Sequence, residues 1–267
     1  MSIMKKDFLK VIVEHKKKEI EASRKTIPEQ ELRKKSEEKQ NKPRFFSNAM
    51  KKATPSGINI IAEIKRASPS KGDININLDP SDYARQYEQG GAAAISVLTD
   101  RHFFKGSFKD FQKARDAVKL PVLRKDFLVS SYQIYESVLL GADAVLLIAR
   151  ILSDSQLADY LALCRELSLD SLVEVNSEKD LENATSAGAD LIGINNRNLS
   201  SFDTDINIAM RMMKLIKPHQ TAVAASGISD RADIIKNKEY GINCFLIGES
   251  IVRADDPSGF IRALLVN

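Results

Sequence analysis

Residues 60–72 read IIAEIKRASPSKG, an apolar run that ends in Glu63 and Lys65 and passes directly into a loop of Ser, Pro and Gly. Successive side chains of an extended strand point to opposite faces, so Glu63 and Lys65 share one face while Ala62 and Ile64 share the other. A charged pair on one face at a strand end is aimed at a common space and is not there for packing. The stretch reads as the first strand of a barrel whose later strands aim their own last residues into the same mouth.

Working outward, strand, loop and helix repeat. Candidate strands lie at 58–65, 93–99, 122–127, 144–148, 172–175, 191–195, 221–225 and 244–247. Most are continuous apolar runs, the mark of parallel strands buried on both faces. Helix-length segments fall between them at 80–89, 108–117, 131–140, 153–167, 178–187, 206–216 and 231–237. GGAAA, GADAV and GADLI recur where a helix gives way to a strand, with Gly suited to the left-handed position past a helix end. Eight units of roughly 20 to 35 residues match an α/β chain folded as a single (β/α)8 TIM barrel. A doubly wound open sheet is the rival, but no GxGxxG follows the first strand.

Ahead of the barrel the pattern is helical. Phe8, Val11, Ile12 and His15 fall at helical spacing, Pro28 opens a second segment at 27–39, and Pro43 ends it. Phe45 and Phe46 follow, an aromatic pair suited to covering a hydrophobic opening. The expected organisation is a helical extension, 1–46, packed across the barrel mouth, and a barrel, 47–267, in one domain overall.

Composition narrows the class. A chain of 267 residues with 43% hydrophobic content can bury the core of one large α/β domain. No apolar run reaches the roughly 18 residues that span a bilayer, and the N-terminus is charged too early for a signal peptide. A cytoplasmic protein without membrane contact is expected. Cys164 and Cys244 lie in apolar segments and read as buried reduced thiols. His15, His102 and His219 are too scattered to bind a metal. The net charge is +4, and the positive excess is confined to residues 1–50, which hold 14 Lys and Arg against 8 Asp and Glu. The acids are interspersed there (Glu14, Glu19, Glu21, Glu29, Glu31), as on a solvated helix, so nucleic acid is not the expected partner.

The strand ends supply the chemistry, because barrel enzymes work at the C-terminal ends of their strands. Those positions hold Glu63 and Lys65, Ser96, Lys125 and Phe127, Glu174, Asn195 and Arg197, Ser226 and Gly227, then Gly248–Ser250. Any one of them has a bland reading as a surface or turn residue. Two lysines, two carboxylates and an arginine on one mouth would shift one another's pKa values, as acid–base work requires. ASGIS after the seventh strand and IGES after the eighth put small residues where backbone N–H groups can meet a phosphate.

The segments IIAEIKRASPSKG, ISVLTDRHFFKGS, PVLRKDFLV with YQIYES, GADAVLLIAR, LVEV, IGINNRNL, ASGIS and FLIGES, in that order, resemble the indole-3-glycerol phosphate synthase family over essentially the whole chain. IKRASPSKG, LRKDF and INNRNL are the specific ones. The resemblance implies closure of an indole ring on 1-(2-carboxyphenylamino)-1-deoxyribulose 5-phosphate, with loss of carbon dioxide and water and no cofactor. It implies catalytic roles for Lys125 as general acid, Lys65 and Glu174 in dehydration, Glu63 as a positioning carboxylate, and Asn195 and Ser226. Ser68, Phe104, Phe127, Arg197 and Leu246 match substrate-binding positions. Lys65, Gly227, Gly248, Glu249 and Ser250 match phosphate-binding ones.

The small phosphorylated substrate would be the main partner. A monomer is expected, with contacts to other pathway enzymes open. One position departs from the family's pattern: a glutamate usually precedes the serine of the seventh-strand turn, and here it is Ala225. The competing readings are a phosphoribosyl isomerase barrel, which has no use for Lys65, Lys125 and Glu174 together, and a barrel that has lost catalysis, supported only by Ala225.

Overall fold

The structure is a computed structural model that describes residues 8–39, 44–197 and 204–266. Eight parallel strands close into a barrel: β1 (Asn59–Ile64), β2 (Ala94–Leu98), β3 (Val122–Lys125), β4 (Ala144–Ile148), β5 (Asp170–Val175), β6 (Leu191–Asn195), β7 (Thr221–Ala225) and β8 (Cys244–Ile247). β1 closes the ring, pairing with β8 on one side and β2 on the other. Among the described residues the helices are α1 (Phe8–Thr26), α2 (Glu29–Glu38), α3 (Phe46–Lys51), α4 (Pro80–Gly90), α5 (Arg101–Phe104), α6 (Phe108–Ala117), α7 (Ser131–Leu140), α8 (Asp154–Glu166), α9 (Glu178–Ser186), α10 (Asn207–Met212), α11 (Arg231–Lys238), α12 (Glu249–Val252) and α13 (Pro257–Leu265).

Strand alternation sorts the core into two layers. Ile60, Ala62 and Ile64 join the layer between sheet and helices. Ile61 points inward, where Ala94, Leu123, Ala144, Leu172, Leu191, Val223 and Cys244 fill the barrel. Two residues further along the same inner faces come Glu63, Ser96, Lys125, Glu174 and Ala225, where the apolar filling gives way to charge. The site is therefore the upper continuation of the barrel core. Helix ends follow ordinary local rules: Asp79 caps α4 by accepting from Ser81 N and Asp82 N, and Gly91 ends it at φ 92°.

Boundaries differ from the sequence reading at a few points. The helical segment expected at 206–216 is α10 followed by a 3-10 turn, Met213–Leu215. The loop after β1 folds back on itself, Ala67–Ser68 pairing antiparallel with Gly72–Asp73. α5, α12 and α13 had no counterpart in the reading, and Pro43 lies outside the described residues.

The extension divides between the two ends of the barrel, and here the reading of the Phe45–Phe46 pair is corrected. Phe46 is fully buried at the N-terminal ends of the strands, opposite the mouth. Its helix, α3, is bonded to strand starts: Ser47 N donates to Asp170 Oδ2 at 2.8 Å, and Met50 O accepts from Asn59 Nδ2 at 3.0 Å and Cys244 Sγ at 3.2 Å. Phe45 and Val11 are exposed. Phe46 alone covers a hydrophobic opening, and it is the opening at the bottom. Leu9 and Ile12 of α1 instead pack toward Phe103, Phe104 and Phe127, and Ile20 and Leu32 pack on Tyr132 and Tyr135 of α7.

Candidate active site

A cleft of about 470 Å³ opens at the C-terminal ends of the strands. All fifteen residues named from the sequence as catalytic, substrate-binding or phosphate-binding line it. Ser96 does not; it is fully buried inside β2, level with Glu63.

At the centre of the cleft, Glu63 stands between two ammonium groups, with Lys65 Nζ 2.8 Å from Oε1 and Lys125 Nζ 3.5 Å from Oε2. Burial raises the Glu63 pKa, but Lys65 and Lys125 outweigh it and hold the carboxyl below its ordinary range. Burial lowers the Lys125 pKa, yet Glu63 and Glu174 together hold it above the usual lysine value. Lys125 thus enters neutral pH as a partly buried ammonium, the state a proton donor needs.

A second chain of contacts crosses the mouth. Asn195 Nδ2 donates to Glu174 Oε1 at 3.0 Å, and Asn195 Oδ1 accepts from Arg197 N at 2.9 Å. Arg197 Nη1 then donates to Ser70 Oγ at 2.7 Å, tying the loop after β6 to the loop after β1. Asn176 Nδ2 braces the same turn by donating to Asn195 O and Arg197 O. Ser70 and Asn176 escaped the sequence reading. Ser70 lay in the quoted SPSKG loop, two residues past Ser68, whereas Asn176 carries no signal beyond following β5.

Aromatic rings form one wall. Phe104 and Phe127 sit with centroids 6.0 Å apart and planes at 37°, and Leu246 closes the wall from β8. Gln133 Nε2 donates to Phe127 O at 3.0 Å, fixing the backbone that carries that ring.

The loops after β7 and β8 approach closely because glycine permits it. Ser226 and Gly227 both have positive φ, 67° and 78°, a region that L side chains rarely adopt. A Cβ on Gly248 would lie 2.5 Å from Glu63 Oε1 and 3.0 Å from Lys65 Nζ. Gly248 therefore lets the β8 backbone meet the charged pair directly. Ser250 Oγ donates to Ile228 O at 3.2 Å and links the two loops.

A partly buried ammonium beside carboxylates at the C-terminal end of a closed barrel, with glycine-lined loops after its last two strands, defines an acid–base enzyme of the (β/α)8 class. Comparison with known proteins gives the family. The profile described as indole-3-glycerol phosphate synthase matches residues 9–264. A protein of that description from Desulfosudis oleivorans is 54% identical over 259 residues, 97% of this chain and 98% of that protein. Another from Syntrophobacter fumaroxidans is 50% identical over 260 residues, 97% of each. Among solved structures, 3-hexulose-6-phosphate synthase superposes with a TM-score of 0.61 at 14% identity, covering 78% of this chain and 98% of that one, a likeness of fold alone. The chain belongs to the indole-3-glycerol phosphate synthase family, carboxy-lyases of tryptophan biosynthesis that act on a small phosphorylated substrate. Among the described residues no helix is long and apolar enough to cross a membrane.

Proposed function

We propose that the cleft closes the indole ring of 1-(2-carboxyphenylamino)-1-deoxyribulose 5-phosphate in two acid–base stages, with Lys125 as the acid of the first. The ring carbon that bears the carboxylate attacks the ketone, and Lys125 delivers its proton to the carbonyl oxygen as that oxygen gains charge. The carboxylate leaves as carbon dioxide, returning its bonding pair to the ring. In the second stage the new hydroxyl departs as water while the neighbouring carbon loses a proton. Lys65 and Glu174 divide these two transfers, and Asn195 keeps Glu174 oriented. Glu63 holds Lys125 charged and both lysines in place.

Binding follows from the same map. Arg197, with Asn195 and Ser68, takes the substrate carboxylate until it leaves, a planar group suited to a guanidinium. Phe104, Phe127 and Leu246 flank the aromatic ring. Lys65, the backbone of Gly227, Gly248 and Glu249, and the hydroxyls of Ser226 and Ser250 hold the phosphate. The protein acts as a cytoplasmic monomer, without cofactor, metal or nucleic acid, and α1 covers the occupied mouth.

The observation that carries this reading is the buried Glu63 carboxylate shared by two lysines, one of them held above its ordinary pKa by that carboxylate. Glu63→Gln tests it. Removing the negative charge lowers the Lys125 pKa, so the alkaline limb of the kcat profile should move to lower pH as turnover falls. A Glu63→Gln enzyme with an unmoved alkaline limb would take Lys125 out of the role of acid.

A further inference from the structure

α1 carries one charged side chain that the site leaves unused. Lys16 is 4% exposed, and its ammonium sits 2.8 Å from Asp100 Oδ2, 3.0 Å from Asp126 Oδ1 and 2.7 Å from Glu19 Oε2. A buried lysine among the apolar residues Leu9, Ile12 and Ile20 on the inner face of α1 has an uncommon cause. Burial pulls its pKa down, but Asp126 and Asp100 lift it further, and the group stays charged. Asp100 and Asp126 are themselves sealed from solvent. Among the described residues Lys16 is the only cation within ion-pair reach of Asp100. Arg124 also approaches Asp126, at 3.3 Å, but the same nitrogen is engaged with Glu136 at 2.8 Å.

Each aspartate sets one aromatic wall. Asp100 caps α5, its Oδ1 accepting from Phe103 N at 2.6 Å and Phe104 N at 3.2 Å. Asp126 Oδ1 accepts from Phe127 N at 2.8 Å, and its Oδ2 accepts from Thr99 Oγ1 at 2.6 Å. The carboxylate that orients Phe104 and the one that orients Phe127 thus face the same ammonium. With that ammonium gone, Asp100 loses its ion-pair partner and Asp126 keeps only the Arg124 nitrogen it shares with Glu136, so a buried carboxylate must take a proton or swing away. Swinging away releases a backbone N–H that now fixes a ring, and protonation weakens the bond that holds it.

We propose that Lys16 is a positioning residue for the substrate's aromatic ring, acting through Asp100 on Phe104 and through Asp126 on Phe127. The inference rests on the reading of those two rings as walls of the substrate site. It makes α1 more than a cover, since docking of this helix supplies the charge that sets the wall, and the binding-competent cleft forms only with α1 in place.

The test uses the full chain with Lys16→Met and Lys16→Gln, Phe127→Ala, and the double variant Lys16→Met/Phe127→Ala, each checked for folding by its melting curve. Steady-state kinetics with the carboxyphenylamino ribulotide should show KM raised about tenfold in Lys16→Met with kcat within about threefold of the parent, the split expected when binding geometry and not chemistry is lost. Lys16→Gln, which keeps an N–H donor group without the charge, should fall between, and it carries the test if the Met variant does not fold. In the double variant Lys16→Met should raise KM by less than it does in the parent, because the part acting through Phe127 is already lost while the part acting through Phe104 remains. Unchanged KM in both Lys16 variants, or a double variant whose KM is the full product of the single effects, would overturn the proposal. Failure of the wall reading has a separate signature, an unchanged KM in Phe127→Ala.

Discussion

At the scale of single residues, the neighbours of Ala225 decide what this chain does without the family's usual glutamate. Ala225 ends β7 beside Asn195 on one side and Leu246 on the other, and is 5% exposed. A carboxylate there would enter a cleft that holds Lys65, Lys125 and Arg197, all able to compensate it. Ala225→Glu should raise turnover by a factor on the order of ten, the scale of one added hydrogen bond to a charged group. A variant that is both slower and less stable would mean that the site is built around alanine, with the new carboxylate left unpartnered. Residue identity was legible in the sequence where strand alternation decides it: Glu63 and Lys65 share a face, and so do Lys125 and Phe127. Lys16, Asp100 and Asp126 were not legible, because their meeting depends on how an N-terminal helix docks far along the chain. Arg124 shows the same limit. It follows Leu123 on the opposite face of β3 and is 1% exposed, bonded to Ser137 Oγ and Gln133 O and stacked on Phe108 at 4.8 Å.

At the scale of elements, the extension has two jobs at two ends of the barrel, and they separate experimentally. Phe46→Ala empties a fully buried position and should cost about 3–5 kcal/mol of stability. Its KM should be unchanged, since the cleft lies at the other end. Deleting residues 1–27 removes α1 and should raise KM at least as much as Lys16→Met while the barrel still folds around α3. Denaturant titrations and KM values on both proteins check this. A raised KM in Phe46→Ala, or an unchanged one in the deletion, would reverse the assignment of the two ends. The strands were readable because parallel strands buried on both faces are apolar throughout. The placement of α3 was not, since an aromatic pair fits either open end of a barrel and only bonds to Asn59, Asp170 and Cys244 distinguish them.

For the whole molecule, the buried charges fix how stability responds to pH. Glu63 and Asp126 are held below their ordinary values of 4.5 and 3.8. The unfolded chain therefore binds more protons than the folded one as pH falls through that range, and the contribution present above it is lost on acidification. Lys125 is held above its ordinary 10.5, so its contribution is present below that value and lost as pH rises through the folded pKa. Urea midpoints should be level in neutral solution, fall below pH 4.5, and fall again above 10.5. A midpoint that rises on acidification from pH 5 to pH 3 would contradict these charge states.

The most direct test of the account is indole formation itself, followed by absorbance or fluorescence when the protein is mixed with the carboxyphenylamino ribulotide, alongside Lys125→Ala. The parent should release indole-3-glycerol phosphate without added cofactor, and Lys125→Ala should turn over at least about 10²-fold more slowly with KM within a few-fold, the usual worth of a positioned acid. No indole from the folded parent, or parental turnover in Lys125→Ala, would contradict the account.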